Sequence, residues 1–327
     1  MENLTFFRMN LTMITRSQHN LEYFKLRYSC YLKVLNLTSM DILDKVLAAE
    51  NRTFEIVATV VCFTLAAFII SANSVFIFTL LMTTKRKLTF VQRLFLYVSC
   101  IDLIAGFIAM PMMGVSQYHG LTCLQQASMM GAAVFAVVAD SCGVLTISCL
   151  RYHSILKPMR KISSKRIIFF LVLQILFALA CSMLFLFCYV KLGTITMFQV
   201  LGHLAGAVVS ILNLSILITV FLTLIGIGKL KKTELSLVDE TRLRNQHKST
   251  KTLLIIASVM TLSFIMQVPS LIILSQSLAQ SSLLSGETFI WTKRNADFST
   301  LVSCLNTGFN SVILICRSKK MRRYIKK

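Results

Sequence analysis

Seven apolar stretches, each long enough to cross a bilayer as a helix, run through residues 56–316 of this 327-residue chain. They lie near 56–82, 92–115, 123–150, 167–190, 198–227, 252–276 and 298–316. About 20 apolar residues carry a helix across the hydrocarbon layer. The composition follows from these stretches: 56% of residues are hydrophobic and mean hydropathy is +0.73, where a soluble domain has roughly 45–50% apolar residues. Buried helices of a large soluble protein would not recur seven times at this length. The expected fold is an all-α membrane protein, a seven-transmembrane-helix bundle.

Charge orients the bundle. With the first 55 residues outside, the cytoplasmic segments are 83–93, 151–166, 228–251 and 317–327, and they hold 24 of the 34 Lys and Arg against three acids, Glu234, Asp239 and Glu240. The resulting +21 equals the net charge of the whole chain. Excess Lys and Arg mark the cytoplasmic face. The basic balance is thus a topology signal and a match to anionic inner-leaflet lipid, with no nucleic-acid footprint. Three regions result: an extracellular tail 1–55, a transmembrane domain 56–316 and a short basic cytoplasmic tail 317–327. Four acceptor triplets for N-linked sugar, at Asn3, Asn10, Asn36 and Asn51, each with Thr two positions on, agree with an outer tail. No short apolar run with a small-residue cleavage site precedes residue 56, so the first span is expected to act as its own uncleaved membrane signal.

Of ten cysteines, only Cys30, Cys123 and Cys188 reach the oxidising side in this topology. Cys123 can pair with Cys188 or with Cys30, and spacing leaves both open.

Polar groups inside the spans carry the chemistry, because each is expensive in lipid without a partner or water. At 1.5 Å per residue, Asp102 lies about 15 Å from the cytoplasmic boundary at Gln92. Asp140, Asn306 and Asn73, counted from Arg151, Arg317 and Thr83, lie about 15–16 Å deep. Four hydrogen-bonding side chains on spans one, two, three and seven are therefore expected at one level, with Asn310 one turn nearer the cytoplasm than Asn306. Amides at such depth also serve simply to join helices. Two neighbouring buried carboxylates are harder to explain as joints, since they repel unless a cation lies between them or one holds a proton. The level offers carboxylate, amide and, from Thr307, hydroxyl oxygen, the donor set of a hard cation such as sodium. Cation binding and protonation are then expected to compete.

Several segments resemble the rhodopsin-like G-protein-coupled receptors. Asp102-Leu-Ile-Ala-Gly-Phe-Ile-Ala-Met-Pro111 is similar to the family's Asp-Leu-x-x-Gly-x-x-x-Met-Pro. Arg151-Tyr152-His-Ser-Ile-Leu-Lys-Pro158 is similar to the later part of its Asp-Arg-Tyr-x-x-Ile-x-x-Pro. Asn306-Thr-Gly-Phe-Asn310-Ser-Val-Ile-Leu314 resembles its Asn-Pro-x-x-Tyr segment and the run before it, Asn73-Ser-Val its first span, and Phe264-Ile-Met-Gln267-Val-Pro269 its sixth. The resemblance covers about residues 56–327. Its departures are Leu150 for the acid before the arginine, Gln267 for the sixth-span aromatic, and Ser311 and Leu314 for the seventh-span proline and tyrosine.

The resemblance implies a receptor whose Arg151, Tyr152 and Pro158 meet a heterotrimeric G protein. It further implies a resting-state sodium ion among Asp102, Asn306, Thr307 and Asn310, with Asp140 a second acid where the family has serine. Without an acid at 150, the resting state is expected to be less latched, by about 0.5–2 kcal/mol. Ala133 stands where aminergic receptors place an acid, and the seventh span has no lysine for retinal, so neither an aminergic ligand nor that cofactor is expected. The outer cavity, from Met130, Ala133, Gln267, Ser270, Thr300 and Cys304, carries little charge and suits an apolar or neutral ligand. Two other classes fit the same spans: an ion or proton transporter with midplane carboxylates, and a non-signalling seven-helix partner protein. An enzyme fits least, since the spans carry no metal-ligand cluster or nucleophile with an adjacent base.

The tail after Cys316 has eleven residues with Ser318 its only Ser or Thr, too few for the phosphate cluster that arrestins read in typical receptors. Desensitisation is expected to be weak or to depend on Thr233, Ser236, Thr241, Ser249 and Thr250. An arrestin-recruitment assay on the variant with all five replaced by alanine checks this, and strong recruitment surviving there contradicts it.

Overall fold

The computed structural model describes residues 52–84, 88–118, 121–156, 164–187, 195–231, 247, 250–259, 261–262, 265 and 286–325. Among them there is no strand. Helix α1 is Arg52–Thr84, and α2 Phe90–Ile104 continues through a π-helical turn Ala105–Ala109 into α3 Met110–Tyr118. Then come α4 Cys123–Leu156, α5 Ser164–Phe187, α6 Ile195–Lys231, α7 Thr250–Val259, α8 Gly286–Arg317 and α9 Lys319–Ile325. Five stretches among the described residues are long and apolar enough to cross a membrane: Thr53–Thr84, Val91–Gln117, Leu124–Ser154, Ile168–Phe187 and Gly206–Lys229. They overlap the first five expected spans, running a few residues longer at most ends but shorter at both ends of the fourth, and with the fifth starting at 206 rather than 198. The sixth is described in part, by α7 and three residues beyond it, and the seventh, 298–316, falls within α8, which is not among the five. The acceptor residues Asn3, Asn10, Asn36 and Asn51, and Cys30, Cys188, Pro158, Gln267 and Ser270, lie outside the described residues.

Continuous helix is what an apolar solvent demands, because a helix satisfies its own backbone. The hydroxyl residues obey the same constraint. Thr64, Thr84, Ser148, Ser215 and Thr223 each donate to the carbonyl four residues back, at 2.7–2.8 Å, so that no O–H is left for lipid to solvate. Helix starts are equally local. Ahead of α4, Gln125 accepts from the Thr122 N–H at 3.0 Å while its own N–H donates to the Thr122 hydroxyl at 3.4 Å, a reciprocal cap. The π turn has a local cause in Pro111, which lacks an N–H and whose ring crowds the carbonyl of Phe107, inside that turn.

Helix α4 is the hub. It packs against α2, the π turn, α3, α5 and α6, and 56% of its most apolar stretch is buried, against 6% for α5. Peripheral α5 is tied to it by polar hooks: Gln174 donates to the Cys142 carbonyl at 3.2 Å and to Thr146, and Ser182 donates to the Gly131 carbonyl at 2.8 Å. The rest of α5 turns Phe169, Phe170, Leu176 and Leu184 outward. Helix α8 packs on α1 and α2, and Met321 of α9 is buried with Phe76 and Leu80 of α1. The short basic tail thus forms a helix that docks on α1 through Met321.

Close approach of α2 to α4 needs Gly143, where an added Cβ would stand 2.7 Å from Val98 Cγ2. Gly206 on α6 has nothing within 4 Å of that position. Gly143→Ala is therefore expected to cost about 1–3 kcal/mol by overpacking, whereas Gly206→Ala gains roughly 0.5–1 kcal/mol of helix propensity. Thermal melts of the two purified variants in detergent check the opposite signs.

Candidate functional site

A hydrogen-bonded clasp sets the register of the first, second and last long helices. Ser311 of α8 donates to Asn73 Oδ1 of α1 at 2.6 Å, and its oxygen lies 3.2 Å from the Ser99 hydroxyl of α2. Since the Ser311 proton goes to Asn73, Ser99 is the donor of the second bond. Asn73 Nδ2 donates to the Ile69 carbonyl at 2.9 Å and across to the Thr307 carbonyl at 3.2 Å. All three side chains are buried. Beside them Gly308 lets the Phe68 ring approach α8, and Phe68 meets Phe309 edge-on at 5.7 Å.

The clasp fixes heights. Phe63 beside Gly114 and Ile69 beside Gly106 make α1 antiparallel to the second span, while Leu301 in one cluster with Cys62 and Ile69, and Leu314 and Ile315 against Phe76 and Leu80, run α8 parallel to α1. Taking the Ser99–Ser311 contact as the origin, Asp102 lies about 4.5 Å further along toward Pro111. On that scale Asn310 sits at about 1.5 Å, Thr307 at about 6 Å and Asn306 at about 7.5 Å. Gly143 beside Val98 places Asp140 at about 3 Å. Asp102, at 1% exposure, and Asp140, at 4%, are therefore level, between the two asparagines, and close enough to repel one another.

These carboxylates are short of partners. Asp102 Oδ1 and Oδ2, Asp140 Oδ1, Asn306 Oδ1 and both polar atoms of Asn310 have no hydrogen bond among the described residues. Buried polar groups are normally paired; these five side-chain oxygens, spread over about 6 Å of helix rise, are of the kind that a hard cation or water binds. The Thr307 hydroxyl donates to the Cys304 carbonyl at 2.7 Å, a bond that uses its proton and not its oxygen lone pairs. Asn73, expected in the same group, spends its amide on the clasp and joins helices instead. No group of three or more His, Cys, Asp or Glu side chains that could hold a metal ion occurs among the described residues.

Toward the other side, Cys62, Met110, Met113, Met129 and Leu301 form an apolar cluster against which Met130 and Cys304 pack. Cys304 lies in electrostatic range of both Cys62 and Asp102, so this cluster adjoins the acid level. Ala133 is half-buried on α4, and Thr300 lies on α8 with its side chain outside the description, as is that of Cys123 at the start of α4. Arg151 and Tyr152 are half-buried near the end of α4, and Arg151 Nε has no partner among the described residues. Three residues of the site were missed by sequence reasoning. Ser99 lies one turn from Asp102 on the same face, a spacing that could have revealed it. Ser311 read only as a missing proline. Tyr97, whose buried hydroxyl is unpartnered and which lies in electrostatic range of Asp140, had no sequence signal beyond its depth.

No protein-family model matches the chain, and no curated protein matches it. The assignment rests on the residues themselves.

The clasp predicts coupling. Asn73→Ala and Ser311→Ala are each expected to destabilise, and the pair to be coupled by about 0.6–1.7 kcal/mol, the range of interhelical hydrogen bonds in lipid. A double-mutant cycle on melting in detergent measures it, and additive losses would remove the clasp as a unit.

Proposed function

We propose that the chain is a rhodopsin-like G-protein-coupled receptor of the plasma membrane, with a glycosylated outer N-terminus and a cytoplasmic C-terminus, that transmits an extracellular signal to a heterotrimeric G protein. The observation that carries the reading is the gathering of Asp102, Asp140, Asn306 and Asn310, from three distant segments, at one buried level beside Asn73. These are the positions that the resemblance picks out. A sodium ion held by Asp102, Asn306 and Asn310, with Asp140 opposite, would supply the positive charge that this level lacks. Arg151, Tyr152 and Pro158 are the proposed contacts for the G protein.

The inner end bears on switching. Leu150 and Leu314, which replace an acid and a tyrosine of the family pattern, both pack against the apolar cluster that joins Leu94 and Val98 of α2, Ile147 of α4, Val220 of α6 and Leu253 and Ile256 of α7. The expectation of a loosened resting state treated Leu150 only as a lost charge. On the receptor reading that packing takes the place of the lost charge as an apolar latch, worth about 1–2 kcal/mol for a partly buried leucine.

An ion or proton transporter is the second reading, favoured by the unpartnered state of both carboxylates. A G-protein activation panel, with and without a broad ligand library, tests the receptor reading. Absence of any coupling, together with sodium or proton flux through the purified protein in liposomes, would replace it by the transporter. In the same panel Leu150→Ala is expected to raise basal nucleotide exchange about 5- to 30-fold, the ratio equivalent to 1–2 kcal/mol. Unchanged exchange at equal surface expression would remove the apolar latch.

A further inference from the structure

We propose that the acid level takes a divalent cation of the calcium class, and that Asp140 is the residue that sets this charge preference. The proposal rests on reading the level as a hard-cation site, and it departs from the sodium ion that the family resemblance implies.

Charge comes first. Two buried carboxylates lie within repulsion range. The nearest basic residues on their own helices are Arg93 and Arg151, nine and eleven positions away, or about 13 and 16 Å along the axes. A single sodium ion would leave one negative charge in a poorly hydrated site, a penalty of several kcal/mol unless that second carboxyl takes up a proton. A divalent ion compensates both carboxylates with no proton bound.

Ligand number points the same way. Asp102 supplies two unpartnered oxygens, Asp140 one, and Asn306 and Asn310 one each, with the asparagines 5% and 3% exposed. The amides are the observation independent of the acids: their oxygens are buried and unpaired, and the two residues stand about 6 Å apart along α8 with the carboxylates between them in height. Calcium takes six to eight oxygens in adaptable geometry, so these five and a water or two complete its shell. Magnesium demands near-octahedral geometry and holds its waters. Donors fixed on three separate helices fit it less well.

The experiment uses the purified full-length protein in detergent. Melting is followed in calcium, magnesium and sodium chlorides and in the chloride of a large organic cation, at matched ionic strength. Calcium is expected to raise Tm by several degrees, saturably, and more than magnesium or sodium. Asp140→Asn, with Asp140→Ser as a second variant, should lose the calcium rise and keep or gain a sodium rise; Asp102→Asn should lose both. Terbium gives a readout independent of melting. Its luminescence, sensitised by Tyr97 near Asp140, should appear in the parent protein, be displaced by calcium and vanish in Asp140→Asn. Sodium stabilising as well as calcium, or a calcium effect intact in Asp140→Asn, overturns the divalent proposal. If the sodium effect is also lost in Asp102→Asn, the hard-cation reading survives that failure. No cation-specific shift in the parent protein and no terbium signal overturn both. The receptor reading is decided separately, by the G-protein panel.

Discussion

Hydrocarbon offers no hydrogen bonds, and the cost of an unpaired polar atom there governs nearly every feature of this molecule. It makes the helices long, bends threonine and serine hydroxyls back onto their own carbonyls, and turns Gln174 and Ser182 into the hooks that hold a peripheral helix. The same cost gives the clasp its meaning. Asn73 has both amide ends engaged and Ser311 is paired on two sides, so the first, second and last long helices share one fixed height. Against that background the neighbouring acids are conspicuous. Within a few ångströms of a fully satisfied network, five oxygens are left unsatisfied.

Much of this was legible in the chain. Counting residues from the boundary placed Asp102, Asp140 and Asn306 at one depth, because helical rise is nearly constant and apolar runs mark the boundaries. Depth is one-dimensional, however. Which side chain meets which depends on rotation about each helix axis, and small differences there decided the outcome for Asn73, whose amide turned to Ser311 and Thr307. Thr307 was read as a ligand from its hydroxyl; in the fold that hydroxyl donates its proton to the Cys304 carbonyl one turn back, which fixes the direction its oxygen faces.

Departures from a family pattern were the harder part to read. Leu150, Leu314 and Ser311 each register in sequence as the loss of a functional group. In the fold each has a positive role: the leucines close the inner apolar cluster, and the serine provides the central link of the clasp. A proline at 311 would have no hydroxyl to give Asn73. The receptor and transporter readings share this architecture, in which an apolar cluster lies on either side of the acid level.

The π turn at Ala105–Ala109 separates two parts of the second span that do different things. On one side are Ser99 and Asp102; on the other Met110 and Met113 face the outer cluster. A π turn holds one residue more than the α turn it replaces, and one residue is about 100° of rotation. The wide turn takes up the extra residue, so that Ser99 and Asp102 on one side and Met110 and Met113 on the other keep the angles they would have on one continuous α-helix. Deleting a single residue from 105–109 would let the turn close as α-helix and leave both faces nearly where they are, whereas a deletion on either side of the turn would rotate one face by about 100°. The turn is therefore the one stretch of this span where a change of length can be absorbed.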